Sequence, residues 1–399
     1  MKPSILFIVP ADYDELKEKG VEGMIFERDE HGFFEKVITV HPVARKTQTI
    51  HLNACHEVHE FGLDLVAGAR GIKFLRVIQY PFQFFRVAFA VIKLSRAHRI
   101  SLIRANDPYW MGLLALLGSR VCGIPFCVSI HADYDRVMRL DPSISMSTVL
   151  GSYKLAKLLS RMVLARAALI LPIRETLREK LIEGGITADR VRVIPHGIDL
   201  TYFRNSTTTN FRARFHIGKG KRILSFVGRL SKENYIDDVL EITRRLGALR
   251  DDIVVVIAGG GKEEARIKAL IESDKVLTKC VLMTGFQPQS VCKDLRKDSD
   301  VSLCLMAGFS LIEACAAGSP VISYDVEWHY ELVKSEETGF LIQEGNIDQA
   351  VAAINWLLDH ESEAAKMGAN ARRLAFARHD KMNTSAIKVR CYEEVLALG

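Results

Sequence analysis

What most constrains this chain is an alternation that occurs twice. In the first half, ILFIV (5–9), KVITVH (36–41), SLIRAN (101–106), FCVSIH (126–131), ALILPI (168–173) and VRVIPH (191–196) have the length and composition of buried strands. Amphipathic stretches such as 111–121 and 152–166 lie between them. Near-continuous apolar strands separated by helices predict a parallel sheet covered on both faces. The pattern breaks at 205–221, NSTTTNFRARFHIGKGK, which is polar and carries a threonine run. Such a stretch reads as a domain boundary. Alternation restarts with 222–228, 252–259, 280–285, 301–305 and 320–324, and 339–342 is a shorter candidate. The expectation is an α/β chain of two doubly wound domains, 1–204 and 205–374, with a helical tail at 375–399. Ligands of such sheets bind beyond the carboxyl ends of the strands, so two of them predict a cleft between domains.

Charge and cysteine usage narrow the classes. The net charge of +6 is concentrated in the first half. No acid occurs between Asp64 and Asp107, where Arg70, Lys73, Arg76, Arg86, Lys93, Arg96, Arg99 and Arg104 are interleaved with apolar residues. Residues 142–174 repeat this with Lys154, Lys157, Arg161, Arg166 and Arg174. Such faces suit an anionic membrane surface. They equally suit packed helices whose basic stems cover apolar surface. No nucleic-acid motif accompanies the charge, so a nucleic-acid partner is not expected. The eight cysteines show no CxxC pair and no spacing with histidine that suggests a metal site. They read as reduced core thiols of a cytoplasmic protein. The first apolar run is stopped by Pro10 and reads as a strand, not a secretory leader.

The residues with chemical potential collect at strand ends of the second half. Gly228-Arg229 follows one strand, Gly259-Gly260-Gly261-Lys262 the next, and Gly285-Phe286 the third. Glycine admits close backbone approach, and arginine offers a planar fork for phosphate oxygens. The fourth end, Gly308-Phe309-Ser310, opens a short helix that Gly318 and Pro320 close. Free N–H groups at a helix start attract anions. Ser310-Leu311-Ile312-Glu313 also matches a capping box, so the local pattern leaves Glu313 open between cap and ligand. In the first half His131 ends a strand, where a histidine is either structural or faces a substrate. His196, in Pro195-His196-Gly197-Ile198-Asp199, reads as part of a turn.

Three segments in order carry a family resemblance: Val193 to Asp199, Val227-Gly228-Arg229-Leu230, and Glu313-Ala314 with Ala317-Gly318-Ser319-Pro320-Val321-Ile322. Together they resemble the GT-B fold glycosyltransferases of family 4, over about residues 100–345. The resemblance implies two Rossmann-like domains facing across a cleft, with the last helix crossing back onto the first domain. It implies a nucleotide-sugar donor held by the second domain and an acceptor held by the first. Transfer is expected with retention, without metal or cofactor. Arg229 matches the arginine on the donor diphosphate. Gly308 and the N–H groups of Phe309, Ser310 and Leu311 match the loop around phosphate and sugar. Glu313 matches the ribose ligand, Gly285 and Phe286 the base site, and His131 a histidine beside the reacting sugar. The basic faces of the first domain suggest a lipid-linked glycan acceptor and a peripheral position at the membrane; nothing sets the oligomeric state.

Two positions depart from the family pattern. Asn234 stands where a diphosphate lysine is usual, with Lys232 as the nearest substitute. Leu305 stands where a second acid usually meets the donor sugar. These departures keep alternatives open: a non-catalytic nucleotide-sugar-binding relative or partner subunit, or a GT-B nucleotide-sugar epimerase. A nicotinamide dehydrogenase is not expected, because no GxGxxG follows the first strand.

Overall fold

The computed structural model describes residues 2–18, 23–62, 73–134, 153–204 and 210–398. Two compact units emerge, residues 1–195 with 385–399, and residues 196–384.

Unit 1 is built on seven strands: β1 (Ser4–Ile8), β2 (Lys36–Ala44), β3 (Gln48–His51), β4 (His56–Gly62), β5 (Leu102–Ala105), β6 (Phe126–Ile130) and β7 (Leu169–Pro172). Their order is β3-β4-β2-β1-β5-β6-β7. Every pairing is parallel except β3 with β4. The principal helices are α1 (Lys73–Ala97), α2 (Trp110–Cys122), α3 (Tyr153–Leu164) and α4 (Glu175–Glu183). Alternate residues of β1 serve opposite faces. Leu6 and Ile8 join a core with α1 and α2 residues, whereas Ile5 and Phe7 join one with Cys391, Tyr392 and Val395. That two-sided burial is why the strands read as apolar runs.

The β3–β4 hairpin is absent from the sequence reading. Its inward positions on β4 include His56 and Glu60, both buried. Each is matched from β2: the Thr39 hydroxyl lies 2.8 Å from His56 Nε2, and His41 Nδ1 donates to Glu60 Oε1 at 2.9 Å. A strand whose buried face is polar leaves no hydrophobic period to detect. The run 191–196 corrects the reading in the other direction. Only Val191 bridges to Ile170, continued by Arg192 N–H to the Ile170 carbonyl and Ile194 N–H to the Pro172 carbonyl. Pro195 has no N–H with which to extend the ladder.

Unit 2 repeats the plan with β8 (Arg222–Val227), β9 (Ile253–Ala258), β10 (Val281–Gly285), β11 (Val301–Leu303), β12 (Val321–Tyr324) and β13 (Gly339–Ile342). The order is β10-β9-β8-β11-β12-β13, parallel throughout. Around it lie α5 (Ile236–Leu249), α6 (Glu264–Ser273), α7 (Gln289–Asp298), α8 (Phe309–Ala317), α9 (Ile347–Asp359) and α10 (Glu361–His379).

The boundaries differ from those read at the polar stretch. Residues 196–204 belong to unit 2 because Leu200 and Phe203 are buried among Leu311, Ile312, Ala371 and Ala375. Ile198 exchanges backbone hydrogen bonds with the end of α10: its N–H donates to His379, and its carbonyl accepts from Lys381. Residues 375–384 stay in unit 2 for the same reason. The last helix, α11 (Lys381–Ala397), then continues into unit 1. There Ser385 and Lys388 donate to the buried Glu30 carboxylate at 2.8 and 3.0 Å, Arg104 donates to the Tyr392 hydroxyl, and Arg192 pairs with Glu394 at 2.7 Å.

Candidate functional site

In an open parallel sheet the ligand crevice lies where the winding direction reverses. In unit 2 that place is between β8 and β11. It brings Gly228 and Arg229, which follow β8, beside the loop that runs from β11 into α8. Ser310 joins the two. Its hydroxyl donates to the Val227 carbonyl at 2.5 Å and accepts from Arg296 Nη2 at 2.8 Å.

That use of Ser310 corrects the capping-box reading. Gly308, not Ser310, is the cap residue of α8, and no side chain caps the helix. Leu311 N–H turns back to the Gly308 carbonyl at 3.2 Å. The Phe309 and Ser310 N–H groups have no acceptor among the described residues. The Leu311 side chain is fully buried, so only its main chain borders the loop. Glu313 is neither a cap nor free. Arg296 Nε donates to Oε2 at 3.2 Å and Gln289 Nε2 to Oε1 at 3.4 Å. Arg296 is 2% exposed and Glu313 15%, so the pair sits at the edge of the protein interior. Sequence reasoning missed Arg296, because nothing local marks an arginine on α7 as the partner of an acid on α8.

Arg229 is exposed, and among the described residues its guanidinium has no carboxylate partner. Its carbonyl accepts from Asn234 Nδ2 at 2.8 Å. Asn234 thereby ties the Lys232–Asn234 turn back to the residue after Gly228. Lys232 is exposed in the short turn Lys232–Asn234. The Glu233 carboxyl is held below its ordinary range, first by the Ser231 hydroxyl and also by the charges of Lys262 and Arg229. The run 259–261 proves to be a packing device. A Cβ on Gly259 would stand 1.8 Å from the Gly228 carbonyl oxygen, and one on Gly261 would stand 2.4 Å from that of Leu230. Leu230 N–H donates to Gly260 at 3.0 Å. These glycines let one loop lie directly under the other.

Gly285 ends β10, and Phe286 after it is 86% exposed. Phe309 is half-exposed, and its ring meets His196 edge-on at 5.3 Å. The turn histidine of the sequence reading is thus carried to the start of α8. Its carbonyl accepts from His379 Nδ1 at 2.9 Å. Another histidine, His329, is fully buried behind the loop, with Nδ1 2.7 Å from the Ser323 hydroxyl and Nε2 3.0 Å from the Ala307 carbonyl. It fixes the approach to Gly308. Leu305 is a core side chain, packed with Leu303, Ile322 and Tyr324.

His131 lies in unit 1, one residue past β6. Its Nε2 is 2.8 Å from Asn106 Oδ1. Asn106 and Asp107 follow β5, at the reversal between β1 and β5. Burial pushes the Asp107 carboxyl up to about 6, although it accepts from the Tyr109 and Met111 N–H groups. Beside them a cavity of about 400 Å³ is lined by Tyr109, Ile130, Asp133, Lys157, Arg161 and Lys180, among others. No group of three or more metal-ligating side chains occurs among the described residues.

Known proteins share this architecture. Sucrose-phosphate synthase from Thermosynechococcus elongatus superposes with a TM-score of 0.68 at 18% identity, over 100% of both chains. HepE from Anabaena in complex with UDP gives 0.69 at 17% identity, over 98% of this chain and 100% of the other. At such identities the likeness is one of fold, and that fold is GT-B. The family model for glycosyl transferases group 1 matches residues 207–374, and that for glycosyltransferase family 4 matches residues 29–202. The chain belongs to the family 4-like GT-B glycosyltransferases. The amylovoran biosynthesis glycosyltransferase AmsK of Erwinia amylovora is 32% identical over 200 residues, 48% of this chain and 47% of that one. The 2-deoxystreptamine glucosyltransferase of Streptomyces kanamyceticus is 24% identical over 318 residues, 76% and 80% respectively. With AmsK, the match thus spans about half the length of the relative.

Proposed function

We propose that this chain transfers a sugar from a nucleoside-diphosphate sugar to an acceptor glycan, with retention at the anomeric carbon and without a required metal. The observation that carries the reading is positive character at the switch point of unit 2: the exposed Arg229 guanidinium, and the Phe309 and Ser310 N–H groups, which have no acceptor among the described residues. As the sugar–phosphate bond breaks, negative charge grows on the departing diphosphate. Donors fixed there in advance bind that charge more tightly in the transition state than in the ground state. The departing phosphate then takes the acceptor proton on the same face of the sugar, so no carboxylate pair of the glycoside-hydrolase kind is needed. Glu313 holds the ribose hydroxyls, Gly285 and Phe286 border the base, and His131 stands beside the sugar. HepE structures with UDP and with UDP-glucose support the donor class. Relatives named for amylovoran biosynthesis and for lipopolysaccharide support an acceptor of polysaccharide assembly, and the basic, acid-free stretches of the first half are what suggest that it is lipid-linked. The enzyme then works from the cytoplasm at an anionic membrane surface; among the described residues no helix is long and apolar enough to cross one.

Arg229→Ala tests the reading. Turnover with the cognate donor, read as release of nucleoside diphosphate, is expected to fall on the order of 10²- to 10³-fold. Near-wild-type turnover overturns the assignment. Asn234, closed onto the Arg229 carbonyl, favours a second reading, a relative that binds the donor without chemistry. Incubation with UDP- and GDP-sugars separates them: slow donor hydrolysis supports transfer, and binding with neither hydrolysis nor transfer supports the second. Conversion of the donor sugar with no acceptor present would indicate an epimerase.

A further inference from the structure

Phe7 of β1 stands at the switch point of unit 1, in register with Thr39 of β2 on one side and Arg104 of β5 on the other. One layer back toward the amino ends of the strands, this face is apolar: Ile5, Val37 and Leu102 are buried with Tyr392 and Val395. At Phe7 the face turns cationic. The Arg28 guanidinium, from the turns before β2, lies 5.2 Å from the centre of the Phe7 ring, and that of Arg104 lies at 5.9 Å. Neutral groups hold both. Arg28 Nη1 donates to the Thr39 hydroxyl and Arg104 Nε to the Ser129 hydroxyl, each at 2.9 Å, and Arg104 Nη1 donates to the Tyr392 hydroxyl. Neither guanidinium has a carboxylate partner among the described residues. The acid whose charge reaches both, Glu30, is taken by Ser385 and Lys388 at 2.8 and 3.0 Å.

Two cations on one ring with no acid between them are a costly arrangement. Burial, and then the charge of Arg104, push Arg28 down to about 10. A fold that needed only a packed sheet face would place apolar side chains here, as it does one layer back. An oxyanion relieves the repulsion and meets two planar forks. It can reach them, because both arginines are half-buried rather than sealed in the core. Arg104 also leans toward the ligand edge. Its register partner on β6 is Cys127, yet Nε bonds Ser129, two residues nearer the carboxyl end. At that end the Asn106 amide and the His131 ring, 2.8 Å apart, are groups of the kind that sugar hydroxyls bind. A sugar bearing a negative charge matches both parts.

We propose that the acceptor glycan presents an anionic sugar, its carboxylate or phosphate held by Arg28 and Arg104 and its hydroxyls by Asn106 and His131. The proposal rests on reading unit 1 as the acceptor unit. Its test uses binding alone, without donor or turnover, so either can fail without the other. The full chain is titrated by calorimetry with glucuronic acid, glucose 6-phosphate and glucose at one ionic strength. Acetate and inorganic phosphate serve as the free anions. At least one charged sugar is expected to bind about tenfold more tightly than glucose, and the better of the two identifies the oxyanion. The free anion is expected to bind several-fold more weakly than the sugar that carries it. Arg28→Gln keeps a donor for Thr39. It is expected to cut affinity for the charged sugar by about tenfold and to leave that for glucose unchanged. Because it removes the repulsion from Arg104, it is not expected to lower the melting temperature. Arg28→Lys, charged but without the fork, is expected to fall between. Arg161→Gln, on α3, controls for charge elsewhere and should bind like wild type. The proposal fails if neither charged sugar binds more tightly than glucose, or if Arg28→Gln loses nothing. It also fails if the free anion binds as tightly as the sugar, which would mark an adventitious ion only. Should Arg28→Gln not fold, Arg28→Lys and the comparison of sugars on wild type decide in the same way.

Discussion

Glu313 shows how far a single residue can be read. Its local pattern allowed a cap, its family register implied a ribose ligand, and the structure adds a partner that neither contained, Arg296. An almost buried arginine that loses its acid costs about 3–5 kcal/mol, so Glu313→Ala should both lower the melting temperature sharply and weaken nucleotide binding. Glu313→Gln separates the roles, because the amide oxygen still accepts from Arg296 Nε. The expected result is a melting shift of a few degrees with affinity for the cognate nucleoside diphosphate down by about tenfold, as for loss of a charged hydrogen bond. Calorimetry on one preparation reads both, and unchanged affinity would leave Glu313 as a structural ion pair only. Asp107 carries a second residue-scale prediction. Its folded pKa of about 6 exceeds the ordinary value of 3.8, so the native state holds the proton longer than the unfolded chain. Stability from this group is present below about pH 4 and is lost as pH rises through 6. Asp107→Asn keeps an oxygen for the Tyr109 and Met111 N–H groups, and should raise the melting temperature at pH 8, with the gain disappearing at pH 4.

At the scale of elements, the start of α8 is positioned by what lies behind it. Gly318 ends the helix in the left-handed region, at φ +85°, as its place after the alanine-rich run predicted. What the sequence pattern did not contain is Gly368 of α10, where a Cβ would stand 1.9 Å from the Gly318 carbonyl oxygen. The two helices approach closely enough that only glycine fits. Gly368→Ala must push α10 from α8, at a cost of about 1–3 kcal/mol. Denaturant unfolding reads the cost, and a parallel loss of nucleoside-diphosphate affinity would show that α10 sets the register of the loop that opens α8. The Gly259–Gly261 run carries the same lesson. Three glycines after a strand look like a phosphate cradle, yet two of them are required by backbone passing 1.8 and 2.4 Å from where a Cβ would be. Glycine spacing cannot tell a ligand's approach from that of a neighbouring loop.

For the whole molecule, acid sensitivity follows from histidines buried in both units. His56 in unit 1 is driven down to about 3 and His379 in unit 2 to about 4, in each case chiefly by burial, and His41 is lowered by the same cause. The unfolded chain takes up these protons near pH 6.5 and the native chain does not. The stability they permit is therefore complete above about pH 6.5 and falls as pH drops toward 4. Melting temperature is expected to decline steadily from pH 7 to pH 5 in both units. A flat profile would mean that water or a proton reaches those rings in the native state.

The sequence by itself determined the two doubly wound halves, the strand ends that carry Gly228-Arg229 and Gly308-Phe309-Ser310, and the family. Each is written in local periodicity or in a contiguous motif, and burial on both faces makes parallel strands legible as apolar runs. Only the tertiary structure decided the rest. It put His56 and Glu60 inside a sheet, gave Glu313 to Arg296, turned Leu305 into core, and kept residues 196–204 and 375–384 with the second unit. It also left three phenylalanines of α1 facing outward. In each case the deciding partner lies on another element. Buried polar groups and charges are settled by whichever partner the fold brings to them.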